Sequence, residues 1–298
     1  MRYVTFHDNK ISKLSLGTVQ FGLSYGVANQ KGQPTQTEVN DMVDYVISQG
    51  VNCFDTAQAY GTSEDVLGRA LHDNNFIVSK IKSDVFIDGF VESIQNSLRR
   101  LNVQSLFGLL LHDMDIFYKD YALLETEINF AKANGYLKYF GVSIYSREDF
   151  DMALNNELVD IIQLPFNVFD QRAVVENWFE RAKQKNKLIF IRSVFLQGLL
   201  LMDCSSLPAN LEKVRPYLEK LNLVARRYNL SNKEFALSFV ESIADQSVLL
   251  FGCDSIEQAK ENLNDYNNKI KIFDLADIEQ IKKEFVDISE DIYLPTKW

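Results

Sequence analysis

This chain is poor in the residues that staple, ligate or carry positive charge. It has three cysteines, Cys53, Cys204 and Cys253, in 298 residues. Their number is odd, their spacing wide, and none belongs to a CxxC pair, so they read as buried, inert thiols in a reducing cytoplasm. Basic residues are outnumbered, 31 Lys and Arg against 41 Asp and Glu, with a formal charge of −10. Nucleic-acid binding needs a basic face that displaces counterions, and this balance opposes it. It gives no support for docking on anionic membranes either. No apolar run approaches the roughly 18 residues of a membrane span. The start, Met1 to Asp8, lacks the apolar core of a signal peptide. Neither linker, low-complexity tract nor repeat beyond a strand–helix unit interrupts the chain.

What is present is ample apolar material. Hydrophobic residues make up 46% of the chain and charged residues 24%, ordinary for a globular protein with a large core. Short apolar runs alternate with amphipathic stretches throughout. Strands are expected at Lys13–Gly22, Val51–Phe54, Phe76–Ile81, Leu106–Leu111, Leu137–Ile144, Val159–Leu164, Leu188–Ile191 and Val248–Phe251. Helices are expected between them. Thr35-Gln36-Thr37-Glu38 is a capping box ahead of Val39, Met42, Val43, Val46 and Ile47 on one face. Ser146, Ser231 and Ser255 open further helices, and Asp88 is placed to cap the one carrying Val91, Ile94, Leu98 and Leu101. One helix is expected from about Gln171 to Lys185, another from Asn210 to Tyr228, and a terminal one over Leu275–Phe285.

Eight strand candidates, most followed by a helix, point to parallel strands joined by crossover helices. That number in this length suits a closed (β/α)8 TIM barrel, an α/β fold, with an N-terminal extension before residue 13 and a C-terminal helix. The expectation is one domain over residues 1–298. A doubly wound open sheet competes, but no GxGxxG follows the first strand; Gly17-Thr18-Val19-Gln20-Phe21-Gly22 has the wrong spacing.

In a parallel barrel, chemistry gathers at the strand C-termini. Asp55 ends the second strand and Tyr60 lies in the loop beyond. Lys80 ends the third run and His112 follows the fourth. Taken singly, each has a plain structural reading: a turn aspartate, a packed tyrosine, a surface lysine, a capping histidine. Lys82 is a rival to Lys80, two residues further on the same strand face. Together the four form a proton-transfer set.

These residues resemble the aldo/keto reductase superfamily. Leu16-Gly17-Thr18 is similar to its first-strand signature, and Gly50 to Gly61 to its GxNxxDTAxxYG motif. Ser63-Glu64, Leu67-Gly68-Arg69-Ala70-Leu71, Val78-Ser79-Lys80 and Leu110-Leu111-His112 continue the match. Gly141-Val142-Ser143, Gln163 with Asn167, Gln197-Gly198-Leu199-Leu200 and Asn262 follow in order. The resemblance covers about residues 13 to 265 and implies an NAD(P)H-dependent oxidoreductase that interconverts a carbonyl and an alcohol.

The resemblance also implies roles. Tyr60 is the general acid, since the oxygen of a carbonyl receiving hydride needs a proton. Lys80 supplies an ammonium that stabilises the phenolate. Asp55 pairs with Lys80, and His112 orients the carbonyl. Ser143 and Gln163 bind the nicotinamide carboxamide; Gly17, Thr18, Gln20, Asp55, Ser193, Gly198 and Asn262 complete the nucleotide site. No metal is implied. Arg192 stands where many relatives carry an aromatic that stacks on nicotinamide; a guanidinium can stack too, or hold a substrate anion or cofactor phosphate.

Gly252 and Gln258 replace the cations with which many relatives hold the 2′-phosphate of NADPH, and Asp254 lies between them. Gly252 leaves room for a backbone-to-phosphate contact at the helix beginning near Ser255, and Gln258 completes a capping box with Ser255. The expected cofactor is NADP(H), with NAD(H) tolerated because an acid there accepts from a free ribose hydroxyl. The substrate is a small carbonyl or alcohol. Gln20, Asn167, Asp170 and Arg192 suit a hydroxylated, sugar-like one, between walls at Ser24–Pro34 and Leu199–Asn210. A nucleotide-sensing regulator, or a lyase or isomerase on the same scaffold, is the alternative. No nucleic-acid, membrane or obligatory oligomeric partner is expected.

Overall fold

The computed structural model describes residues 1–27, 29, 31–72 and 75–298, without the side chains of residues 87 and 88. Ten strands organise it: β1 (Tyr3–Phe6), β2 (Asn9–Ser12), β3 (Leu14–Gly17), β4 (Cys53–Asp55), β5 (Phe76–Ile81), β6 (Leu106–Leu111), β7 (Leu137–Ser143), β8 (Ile161–Pro165), β9 (Leu188–Arg192) and β10 (Val248–Phe251). Strands β3 to β10 form a closed, all-parallel barrel, with β10 pairing both β9 and β3. The intervening chain is largely helical, so the fold is the expected (β/α)8 barrel.

The extension before the barrel is a hairpin. Strands β1 and β2 pair antiparallel from Tyr3↔Ser12 to Phe6↔Asn9, across a two-residue turn in which His7 takes a φ of 48°. Val4, Phe6 and Ile11 share a buried apolar cluster with Cys53, Val78, Leu110, Ile161, Phe190 and Val248 of the barrel strands. The hairpin therefore closes the end of the barrel where the strands begin. Asn9 Nδ2 donates to the Tyr139 hydroxyl at 3.0 Å and fixes that plug to β7.

Capping chemistry set several helix starts. The Thr35–Glu38, Ser146–Asp149 and Ser231–Glu234 boxes are all formed, each satisfying backbone N–H groups that a helix leaves unpaired. Asp274 caps Leu275–Phe285. The helix carrying Ile94 and Leu98 spans Phe90–Leu101 after Gly89; the Asp88 side chain lies outside the described residues.

Three expected elements differ. The run after residue 13 is not one long strand: it ends at Gly17, and Val19–Gly22 is a single helical turn. The helix expected over 171–185 is two, Arg172–Val175 and Trp178–Gln184, split where Asn177 takes a left-handed φ of 58°. The stretch from residue 210 begins as a 3-10 turn, Ala209–Val214, and becomes α-helical only at Arg215. Pro216 lacks the N–H an interior position needs and is accommodated in that first turn. Among the described residues no helix is long and apolar enough to cross a membrane.

Candidate active site

Two glycines let the chain cross itself beside Tyr60. A Cβ on Gly22 would come within 1.8 Å of the Tyr60 carbonyl oxygen and 2.4 Å of the Ser63 nitrogen. Gly61 takes a φ of +57°, and its Cβ would lie 2.4 Å from the Gly22 oxygen. The helical turn after β3 is thus pressed against the loop after β4, a contact only glycine allows. Thr18 strengthens the junction: its N–H donates to the Asp55 carbonyl at 2.9 Å, and its Oγ1 meets Ser63 Oγ at 2.8 Å.

Behind Tyr60 lies an ion pair. Lys80 Nζ donates to Asp55 Oδ1 at 2.5 Å and to the Thr56 carbonyl at 2.9 Å. Both side chains are buried, at 1% and 4% exposure. Gln163 Nε2, from β8, donates to Asp55 Oδ2 at 2.8 Å. Burial works against the charge on Lys80, but Asp55 and the neighbouring Tyr60 outweigh it, and the ammonium is held above its ordinary range. Its Nζ stands 5.0 Å from the Tyr60 ring centroid. The structure separates the two lysines: Lys80 points inward and Lys82 is exposed.

His112 meets Tyr60 edge to face, with ring centroids 5.7 Å apart. Burial first, then the Lys80 and Arg192 charges, lower its pKa to about 4, so the imidazole is neutral at pH 7. Its Nδ1 is buried without a partner among the described residues. Arg192, ending β9, lays its guanidinium 4.0 Å from the Tyr145 ring centroid and donates from Nη2 to the Ile144 carbonyl at 3.1 Å. Tyr25 also faces this group. Its hydroxyl is lifted to about 12, chiefly by burial and then by Tyr60, although 36% of the residue's surface stays exposed.

Tyr60, His112, Tyr25, Tyr145 and Arg192 line one cavity of about 870 Å³ at the strand C-termini. Every residue expected to bind nucleotide also lines it: Gly17, Thr18, Gln20, Asp55, Ser143, Gln163, Arg192, Ser193, Gly198, Gly252, Asp254, Gln258 and Asn262. Lys80 stands behind the wall. The segment after β9 is wound left-handed at Ser193, Leu196, Gln197 and Gly198, with φ of 62°, 49°, 56° and 90°. Such strain in non-glycine residues persists only where surrounding structure enforces it. Gln20 lies over Gly252, whose Cβ would sit 2.6 Å from Gln20 Nε2. Gln163 Oε1, Gln20 Oε1 and Asp254 Oδ1 are buried acceptors without a partner among the described residues.

Some expectations need correction. Asn167 and Asp170 are fully buried and spent within the fold. Asn167 Oδ1 accepts from the Phe169 and Asp170 N–H groups, and Asp170 holds Arg172 in a bidentate pair. Neither lines the cavity, because the turn after β8 needs them. Gln258 does not complete a capping box: Ser255 accepts from the Gln258 N–H, but the Gln258 side chain accepts from Asp254 N–H at 3.2 Å. The expected walls contribute Tyr25, Gly26 and Asn29 on one side, Leu201 and Met202 on the other. Pro295 and Thr296, near the C-terminus, also line the cavity and carried no signal in the sequence. A second cavity of about 530 Å³ at the hairpin end is lined by His7, Lys183 and Asp245 among others, and none of the four rim residues reaches it.

The rim of this closed parallel barrel thus carries a buried carboxylate–ammonium pair, a phenol and a neutral imidazole. The chain belongs to the aldo/keto reductase family, whose model matches residues 13–283. It is 31% identical over 157 residues to the D-arabinose 1-dehydrogenase of Saccharomyces cerevisiae, covering 46% of this chain and 47% of that protein. The other curated relatives are also matched over less than two thirds of their length. Among solved structures, the holo form of the aldo-keto reductase AKR11C1 from Bacillus halodurans superposes with a TM-score of 0.76 at 19% identity, covering 100% of this chain and 99% of that one. An aldo/keto reductase from Klebsiella pneumoniae in complex with NADP and acetate gives 0.70 at 18%, covering 96% of each chain.

Proposed function

We propose that this protein interconverts a carbonyl compound and an alcohol by hydride transfer with NADP(H), also accepting NAD(H), with Tyr60 as general acid and base. The observation that carries the reading is the buried Asp55–Lys80 pair directly behind Tyr60, with His112 beside it on the same cavity. The NADP complex of the Klebsiella relative and the activity named for the yeast relative support the cofactor and a sugar-like, hydroxylated carbonyl.

The site suits a nicotinamide nucleotide. Gln163 and Gln20 each present a buried oxygen that no group among the described residues satisfies, and such atoms are costly unless a ligand meets them. Ser143 and Gln163 would hold the carboxamide. The left-handed segment Ser193–Gly198 would hold the phosphates, and Gly252, Asp254, Gln258 and Asn262 the adenosine end. The bound nucleotide supplies or accepts the hydride.

The residues then manage the proton. In reduction, hydride adds to the carbonyl carbon, and the oxygen takes the proton from the Tyr60 hydroxyl. Lys80 stabilises the negative charge left on the phenolic oxygen, and Asp55 holds Lys80 in place against the cost of its burial. Neutral His112 has one N–H to give the substrate oxygen, which fixes the carbonyl and favours the charge that develops there. General acid catalysis of this kind contributes roughly 10²- to 10⁴-fold.

The test is consumption of NADPH and NADH against a panel of aldehydes and sugars. Turnover is expected with the wild type. In Tyr60→Phe it should fall by about that same factor while nucleotide affinity is kept. A variant that reduced the panel at the wild-type rate would end the assignment of Tyr60. Nucleotide binding without turnover of any carbonyl would favour a sensor.

A further inference from the structure

We propose that the carbonyl substrate carries a carboxylate, and that Arg192 is the group that holds it; the inference rests on the function proposed above and adds the substrate's chemical class. Arg192 makes one hydrogen bond to protein, from Nη2 to the Ile144 carbonyl. A guanidinium has five N–H donors in a planar fork, so four remain without a protein acceptor among the described residues. No carboxylate among those residues lies within 4.0 Å of it. Arg172, on the neighbouring loop, shows the contrast: it is taken up by both Asp170 oxygens and by the Tyr145 carbonyl.

Most other charges in or directly behind the cavity wall are paired. Asp55 and Lys80 cancel each other at 2.5 Å, and Lys233 pairs with Glu261 at 2.6 Å. Asp254 lies at the far end of the cavity, beside Gly252 and Gln258. His112 carries no charge at pH 7. Asp113 and Lys82 also bear on His112 but neither lines the cavity, so among the described residues Arg192 is the unpaired charge that faces the cavity beside Tyr60 and His112. Arg192 lines the same cavity as Tyr60, His112 and Tyr25, and its charge bears on the last two.

The orientation is fixed as well. Stacking 4.0 Å over the Tyr145 ring sets the plane of the fork, and a carboxylate is the ligand whose two oxygens match that fork. A half-buried cation without a counter-ion costs free energy that a substrate anion recovers. A hydroxyl or an apolar chain at this place leaves the donors unmet.

The experiment compares 4-oxobutanoate with its methyl ester, and D-glucuronate with D-glucose, in the wild type and in Arg192→Met and Arg192→Lys. The acid is expected to exceed its neutral partner in kcat/KM by roughly 10- to 100-fold, the range for hydrogen bonds to a charged group. Arg192→Met should bring that ratio close to one through KM, and Arg192→Lys should restore part of it. Equal treatment of acid and neutral partner by the wild type overturns the proposal while leaving the proposed reaction intact. So does an Arg192→Met variant that keeps the ratio and loses nucleotide affinity, which would assign Arg192 to the cofactor. Calorimetric titration with succinate, with and without NADP+, reads the same site without turnover. Binding that vanishes in Arg192→Met supports the inference even if no carbonyl is reduced, and an absence of binding to the wild type overturns it.

Discussion

Gln163 and Asp55, 108 residues apart in the chain, are joined by a 2.8 Å hydrogen bond across the barrel rim. That bond occupies Asp55 Oδ2 while Lys80 occupies Oδ1, so both carboxylate oxygens are engaged. Asp55→Asn leaves the Lys80 charge buried without its counter-ion. The expected loss of stability is about 3–5 kcal/mol, as for other broken buried pairs, read by denaturant unfolding at pH 7. The raised folded-state value of Lys80 gives the sign at high pH. Its stabilisation is complete below the unfolded value, near ~10.4, and is lost as pH rises through the higher folded value. The wild type should therefore lose this contribution only in strong alkali. A variant as stable as the wild type would show that the pair does not hold the rim.

The His112 imidazole should titrate with a midpoint near 4 in the folded protein, measured from its ring-proton chemical shifts. Its folded value lies below the unfolded one, so its stabilisation is present above about pH 6.5. That contribution is lost as pH falls toward 4. Turnover should consequently show no inflection from His112 between pH 5 and 8. Removing the Arg192 charge should move the midpoint upward. A midpoint near 6.5 in the wild type would contradict the burial described for this ring.

Gly22→Ala tests the crossing beneath Tyr60. The added methyl would lie 1.8 Å from the Tyr60 carbonyl oxygen, so backbone must move. A cost of roughly 1–3 kcal/mol is expected, as for overpacked cores, together with a fall in kcat because Tyr60 shifts away from Lys80. Unchanged kcat in Gly22→Ala would mean that the crossing does not position the phenol.

Asp254 should set the nucleotide preference. Its Oδ1 is buried without a partner among the described residues, and a carboxylate there accepts from a ribose hydroxyl but repels a 2′-phosphate. Asp254→Ser is expected to raise NADPH affinity relative to NADH by about tenfold, which corresponds to ~1.4 kcal/mol, measured by nucleotide fluorescence. A wild type that already prefers NADPH strongly would remove Asp254 from this role.

Much of the architecture was legible because it is local. Phe76–Ile81, Leu106–Leu111 and Val248–Phe251 are strands over the stretches their apolar runs mark, and the Thr35, Ser146 and Ser231 caps lie where their side chains reach their own backbone. The break at Asn177 was not legible, because a left-handed residue inside a helical pattern leaves the apolar periodicity intact. The hairpin was not legible either: β1 and β2 are four residues each, and their purpose is to close a barrel that the local sequence does not describe. Asn167 and Asp170 looked like pocket residues because polarity at a strand end reads the same whether it faces a ligand or its own loop.

By itself the sequence determined the eight strand–helix units and the order in which Asp55, Tyr60, Lys80 and His112 arrive at strand ends, since capping, apolar periodicity and motif spacing are properties of neighbouring residues. Only the closed barrel decided that Lys80 rather than Lys82 meets Asp55, that Gln163 reaches the same carboxylate, that Gly22 lies under Tyr60, and that Arg192 is left without a counter-ion among the described residues. Those relationships join residues far apart in the chain, and they exist only once β10 has paired with β3.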